Sequence, residues 1–170
     1  MLFRSSGVVA VPVTTSRLAE EVAAFHGVGI LRIGAGFAAL AAAGEQADVI
    51  LAGDGRGRFV LPSVGPGPDA ISALMMLLAL MADTDLPLSH LDTRIPASAV
   101  VTRTVSIPWG RRAATMRAVR LEAERGHTDT REGIRALEPD GSWCLILPVD
   151  DEACLALYAE ADDAAGAQIG

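Results

Sequence analysis

The sequence predicts an α/β layer domain followed by a small α+β domain, in which an antiparallel sheet carries helices on one face. Three observations predict it. Short aliphatic runs alternate with helix-period stretches up to about residue 85, which is the strand–helix order of a layered α/β fold. Leu86 to Ala99, with Pro87 and Pro96, then punctuates the chain as a candidate linker, dividing it into 1–96 and 97–170. Beyond it, one amphipathic helix precedes several strand-like segments.

Taken in order, Val8 to Val13 reads as a strand, and Thr14, Thr15 and Ser16 offer a cap for a helix whose apolar face is Leu18, Val22 and Phe25. Val28 to Ile33 is a continuous aliphatic run, the pattern of a strand covered on both faces. Gly34 and Gly36 end it, and the alanine-rich Phe37 to Ala43 makes a helix stopping at Gly44. Val49 to Ala52 and Phe59 to Leu61 are strands joined by the loop Gly53-Asp54-Gly55-Arg56-Gly57-Arg58. Asp69 caps a helix that is apolar all round from Ala70 to Ala82, so a central core helix is expected. In the second part, Val100 to Ile107 alternates as a half-exposed strand. Arg111 to Arg125 is an amphipathic helix with Ala113, Met116, Val119 and Ala123 inward. Glu132 to Leu137, Trp143 to Val149 and Leu155 to Ala161 are strands, the first two joined at Asp140-Gly141.

Composition excludes several function classes. The net charge of −7 and an isoelectric point near 4.9 disfavour a nucleic-acid partner. All 14 basic residues are arginine, so Schiff-base and P-loop lysine chemistry are absent. The longest apolar stretch, Ala70 to Ala82, is too short for a bilayer and the first residues lack a signal-peptide pattern, so a cytoplasmic protein without a membrane partner is expected. His26, His90 and His127 have no spacing for zinc or a catalytic dyad. Cys144 and Cys154 are expected as reduced, buried thiols. A hairpin turning near Asp150 and Asp151 sets Cys144 opposite about Leu157 and Cys154 opposite about Leu147, so the sulfurs do not meet. The arginines Arg111, Arg112, Arg117, Arg120 and Arg125 read as a solvated helix face beside Glu122 and Glu124, and Trp143 as an anchor packed where sheet meets helix.

The order of elements, with Ser16-Arg17-Leu18, Gly36-Phe37, the Gly53 to Pro62 loop and strand, the apolar helix after Asp69 and the run from Asp140 to Ala161, resembles the third and fourth domains of the α-D-phosphohexomutase superfamily (phosphomannomutase, phosphoglucomutase and their relatives). The resemblance implies an α/β/α third domain and an α+β fourth domain, within hexose phosphate metabolism. It also implies that phosphoserine and Mg2+ belong to the family's first and second domains. No phosphoserine loop and no Asp-Gly-Asp-x-Asp-Arg metal loop occurs in this sequence, so no cofactor is expected in this chain and no catalysis by it alone. Upstream domains of a parent protein are the expected partners, with the tail of a sugar-1-phosphate nucleotidyltransferase as one form such a chain takes.

Residue by residue, the family's sugar-binding string Gly-Glu-x-Ser-Gly-His falls on Gly53, Asp54, Gly55, Arg56, Gly57 and Arg58. Gly53, Asp54, Arg56, Gly57 and Arg58 are therefore the candidate substrate-binding residues, with hexose phosphate as a weak ligand. A lysine that usually follows Gly-Phe is Ala38 here. The family's phosphate loop, Arg-x-Ser-Gly-Thr-Glu-Pro, falls on Leu147, Pro148, Val149, Asp150, Asp151, Glu152 and Ala153. Each acid about 6 Å from a phosphate charge costs roughly 3 kcal/mol before screening at an effective dielectric near 20. Three consecutive acids repel phosphate, and in a hairpin turn they read as solvated side chains more readily than as a metal site.

Overall fold

The computed structural model describes residues 7–93, 95, 98–123, 127–129, 132–162 and 167, with the backbone alone at 91, 92 and 127–129. The chain forms two compact units, Met1–Pro96 and Ala97–Gly170.

In the first unit the order is β1 (Val8–Pro12), α1 (Leu18–Phe25), β2 (Gly29–Ile33), α2 (Phe37–Gly44), β3 (Val49–Gly53), β4 (Phe59–Val60), α3 (Ala70–Thr84) and α4 (Leu88–Asp92). The sheet runs β2-β1-β3-β4, with β1 parallel to both β2 and β3 and β4 antiparallel to β3. Its core is Ala10, Leu40, Ala43, Val49, Ala52 and Val60, with Val8, Leu31 and Ile33 packed against it. Because so many of these side chains are alanine, α2 lies close on the sheet. At Gly44 an added Cβ would stand 2.6 Å from both the Pro66 carbonyl oxygen and Val60 Cγ1.

Asp69 caps α3 as its sequence predicts, Oδ1 accepting from the N–H of Ile71 (2.9 Å) and Ser72 (3.1 Å). At α1 the N-cap position falls on Arg17 rather than on the expected Thr14 to Ser16, and Ser16 Oγ accepts from Leu18 N–H just before the helix.

Two burial expectations are overturned here. β2 is not covered on both faces: it is an edge strand with no fully buried residue, since the chain returns from α2 to the far side of β1. Nor is α3 a core helix. None of its residues is buried, and Ile71, Leu74, Met75 and Leu78 are exposed. Apolar composition on every side sets what such a helix wants, while burial depends on what lies opposite. α4 also occupies part of the expected linker.

The second unit consists of β5 (Ala99–Ser106), α5 (Trp109–Ala123), β6 (His127–Asp129), β7 (Ile134–Leu137), β8 (Trp143–Pro148) and β9 (Cys154–Ala161). Its sheet order is β5-β9-β8-β7-β6, antiparallel throughout. β6 has no counterpart in the sequence reading. α5 turns Met116, Val119 and Ala123 to half-buried positions, but Ala113 is exposed. Arg125 lies outside the described residues.

The β7–β8 hairpin turns at Asp140-Gly141, where Asp140 Oδ1 accepts from Ser142 N–H and Oγ–H and Gly141 takes φ 86°. The β8–β9 hairpin closes on Pro148↔Leu155. Cys144 therefore faces Ala159, and Cys154 lies opposite Ser106 of β5. Both thiols are free, but Cys144 is exposed rather than buried. No helix among the described residues is long and apolar enough to cross a membrane.

Trp143 is buried and anchors this sheet through a polar contact that its sequence position alone does not announce. Its indole N–H donates to Glu160 Oε2, and Ser98 Oγ–H donates to Glu160 Oε1. Glu160 is only 1% exposed. The guanidinium of Arg135 lies 4.5 Å above the Trp143 ring, within cation–π range.

Candidate functional site

β1, β2 and β3 are parallel, so their C-terminal ends share one edge of the sheet. The chain leaves β1 to one side for β2 and returns on the other as β3. Where the connections part in this way, an open α/β sheet has a crevice at its strands' carboxyl ends, the preferred place for a ligand. Three segments leave that edge: 13–17 after β1, 34–36 after β2, and Asp54–Arg58 after β3. The candidate substrate-binding loop thus sits where this topology puts a ligand.

Within that loop the structure brings Asp54 and Arg58 onto each other. Asp54 Oδ1 accepts from the backbone N–H of Arg56 (2.8 Å) and Arg58 (3.1 Å), and Oδ2 accepts from Arg58 Nε–H. The backbone closes the loop as Asp54 N–H donates to Arg58 O. Gly55 (φ 66°) and Gly57 (φ 93°) supply the left-handed steps that let the chain wrap around the carboxylate. Gly53 admits the Phe59 ring, which an added Cβ would meet at 3.0 Å.

The Asp54 side chain is 6% exposed. Burial pushes its carboxyl up, but hydrogen bonds from Arg56 N–H and from the Arg58 side chain and backbone outweigh that and hold it below the usual carboxylate value. Asp54 is therefore an ionised acceptor whose lone pairs point into its own loop. Arg58 also extends over the Phe37 ring at 6.0 Å, tying the loop to the first residue of α2. Arg56 is exposed, and it is the loop's cation that Asp54 does not neutralise.

Arg32 is a positioning residue that sequence reasoning missed. From β2 it forms a two-toothed contact with Glu20 (Nε to Oε1 2.7 Å, NH2 to Oε2 2.6 Å) and donates to the carbonyls of Pro12, Thr15 and Ser16. One guanidinium thus fixes the β1–α1 segment at the same edge. Its signal in the sequence is a single arginine inside an otherwise aliphatic strand.

The second candidate loop lies in the other unit. Asp150, Asp151, Glu152 and Ala153 are exposed at the tip of the β8–β9 hairpin. Ile107 N–H donates to Ala153 O, and Val149 N–H to Cys154 O. The structure adds one basic neighbour: Arg112 NH2 of α5 stands 4.0 Å from Asp150 Oδ1, and its guanidinium lies 5.1 Å from the Trp109 ring centre. Cys154 Sγ lies 3.4 Å from Glu152 Oε2; burial first, then that carboxylate, pushes its thiol up and keeps it protonated. The three acids point outward from a turn, and among the described residues no three His, Cys, Asp or Glu side chains converge on one point.

An open sheet with loops gathered at its switch point, followed by a small antiparallel sheet, has the α/β then α+β order that the resemblance implies. The model of the phosphoglucomutase/phosphomannomutase family, alpha/beta/alpha domain III, matches residues 2–98, and the chain belongs to this family. A Methanopyrus kandleri protein named as a phosphoglucosamine mutase is 30% identical over 161 residues, covering 94% of this chain and 35% of the relative. A solved phosphoglucomutase/phosphomannomutase family protein from Burkholderia thailandensis matches with a TM-score of 0.78 and 18% identity, over 95% of this chain and 35% of that one. A structure from Thermus thermophilus, named as a phosphomannomutase, gives a TM-score of 0.68 and 17% identity over 94% of this chain and 33% of that one. At these identities the two structures speak to the fold. The chain spans about a third of the length of these relatives.

Proposed function

We propose that this chain is a phosphohexomutase C-terminal module that does not carry out phosphoryl transfer by itself and works as a structural or regulatory part beside upstream domains of a parent mutase. The observation that carries this reading is the β8–β9 tip: exposed Asp150, Asp151 and Glu152 stand where the resemblance calls for a phosphate cradle, with Arg112 near Asp150. A loop of that sign repels a phosphate dianion. The family's mutase reaction further shuttles the phosphoryl group through a phosphorylated nucleophile beside a metal, and the sequence offers neither string. The relatives above are mutase-type, so they lend the nucleotidyltransferase-tail reading no support.

The purified chain, incubated with Mg2+, a hexose 1-phosphate and its bisphosphate activator, is expected to form no 6-phosphate isomer above the buffer rate. Turnover that follows the protein through every purification step and vanishes in Asp54→Ala would overturn the proposal.

A second reading, favoured by the exposed Arg56, is that the Gly53–Arg58 loop retains weak affinity for hexose phosphate. Asp54 already binds Arg58, so the loop offers one uncompensated guanidinium plus that part of Arg58 that Nε leaves over. One charge-assisted contact contributes about 1.5–3 kcal/mol, which places binding in the millimolar range or weaker. Titration with a hexose phosphate should move the backbone amide signals of residues 53–58, and Arg56→Ala should abolish those shifts. Shifts confined to Asp150–Ala153 would sink this reading while leaving the mutase assay untouched.

A further inference from the structure

α3 is apolar on both sides, and neither side has a full complement of neighbours. Ile71 (76% exposed), Leu74 (55%), Met75 (61%) and Leu78 (48%) form an outward stripe at the i, i+3, i+4, i+7 spacing of a helix–helix seam. The side facing the sheet borders an open groove of about 530 Å³, lined by Leu51, Phe59, Met76, Leu77 and Leu80, with Asp83 its one charged residue. Leu74 belongs to both surfaces, so stripe and groove are continuous. A contiguous exposed apolar surface on a soluble fold marks an interaction site.

Charge decides what fits it. From Phe59 to Thr93 the sequence contains no Lys or Arg, and its acids are Asp69, Asp83, Asp85 and Asp92. A second copy would set these acids against one another: Asp83 on Asp83 if the two α3 helices ran parallel, Asp69 on Asp83 if they ran antiparallel. At Asp69 the carboxylate is already engaged, its hydrogen bonds from Ser72 and Ile71 holding it below the usual value. The other end of α3 is unbalanced. Its last turn has no basic residue, the helix stops at Asp85 in the left-handed conformation, and Asp83 and Asp85 add charge where the helix dipole is already negative.

We infer that the α3 stripe and groove are a docking surface for a helical segment of another polypeptide, one with aliphatic anchors at i, i+3, i+4 and i+7 and Lys or Arg at the end that meets Asp83 and Asp85. The anchors fill the groove beside Phe59, and the cations neutralise the α3 C-terminus. The seat belongs to the helix-in-groove mode of recognition. The groove meets the sugar-phosphate loop at Gly57, but the inference does not rest on that reading, because the Asp54–Arg58 hydrogen bonds are made within the loop itself.

The test uses the full chain and two fluorescent helical peptides that share a leucine stripe, one ending in arginines and the other in glutamates. The arginine-ended peptide should bind, with affinity falling as salt rises. Leu74→Gln with Met75→Gln should weaken it about tenfold or more, as loss of central interface anchors does. Both positions are exposed, so the fold should persist by circular dichroism. Asp83→Asn with Asp85→Asn, which leaves the apolar surface intact, should weaken binding and flatten its salt dependence. Equal binding of the glutamate-ended peptide, or no binding of either, overturns the inference. So does a concentration-dependent dimer that Leu74→Gln with Met75→Gln abolishes, since a second copy would then be the occupant, or sedimentation with phosphatidylglycerol vesicles, since that would make a membrane the target.

Discussion

Trp143→Ala is expected to lower the stability of the second unit by about 3–5 kcal/mol, enough to leave it largely unfolded at physiological temperature. The substitution removes a large buried ring from β8, the central strand of its sheet. It also takes the indole N–H from Glu160 Oε2 and the aromatic face from Arg135. A carboxylate only 1% exposed then loses the donor that Trp143 supplied, and a buried acceptor that loses a partner bears a desolvation penalty of about 1–3 kcal/mol. Glu160→Gln offers the graded comparison. Its amide oxygen can still accept from Trp143, so it should cost roughly 1–2 kcal/mol by loss of the charged acceptor. Urea melts followed by far-ultraviolet circular dichroism read both variants. A Trp143→Ala stability within about 1 kcal/mol of the parent would show that the ring is not the anchor of this unit.

That network also marks where sequence reading reached its limit. In the first unit β1 to β4 and α1 to α3 are legible from aliphatic runs for the strands, Asp69 as a cap and Gly44 as a stop, whereas α4 is not. The fold class followed, and the structure and the family match agree with it. Side chains that answer to distant partners were not legible. Glu160 interrupts the apolar run Leu155 to Ala161, which flags a buried charge, but nothing local names Ser98 or Trp143 as its donors. Arg32 raises the same flag in β2 without naming the carbonyls it ties. The Asp54–Arg58 pair is different. It spans four residues with glycines between them, the pattern of an Asx-type turn, and the same two side chains are ones the resemblance implies for a ligand. The hairpin register missed by two residues because the β8–β9 connection is longer on its C-terminal side, closing Pro148 on Leu155. A charged tip sets where a turn falls but not its length.

Gly133→Ala is expected to be among the costliest single-methyl additions in the chain, at about 2–4 kcal/mol. Two physical terms act together. Gly133 holds φ 69°, where a side chain costs about 1–2 kcal/mol. Its new Cβ would stand 2.3 Å from the Ile146 carbonyl oxygen and 2.5 Å from Leu147 Cδ2. Ile146 pairs with Ile134 in the β7–β8 ladder, so the carbonyl cannot step aside without opening that hairpin, and overpacking of this kind adds about 1–3 kcal/mol. Gly27 provides the control: its φ is 67°, and nothing lies within 4 Å of where its Cβ would be. Gly27→Ala should therefore show the conformational cost alone, about 1 kcal/mol. The difference between the two variants isolates the clash. Leu147 leads directly into the acidic tip, so Gly133→Ala should also shift the amide signals of Asp150 to Ala153, while Gly27→Ala leaves them in place. Equal melting midpoints for the two variants would mean that β7 and β8 are spaced more loosely than the 2.3 Å approach requires.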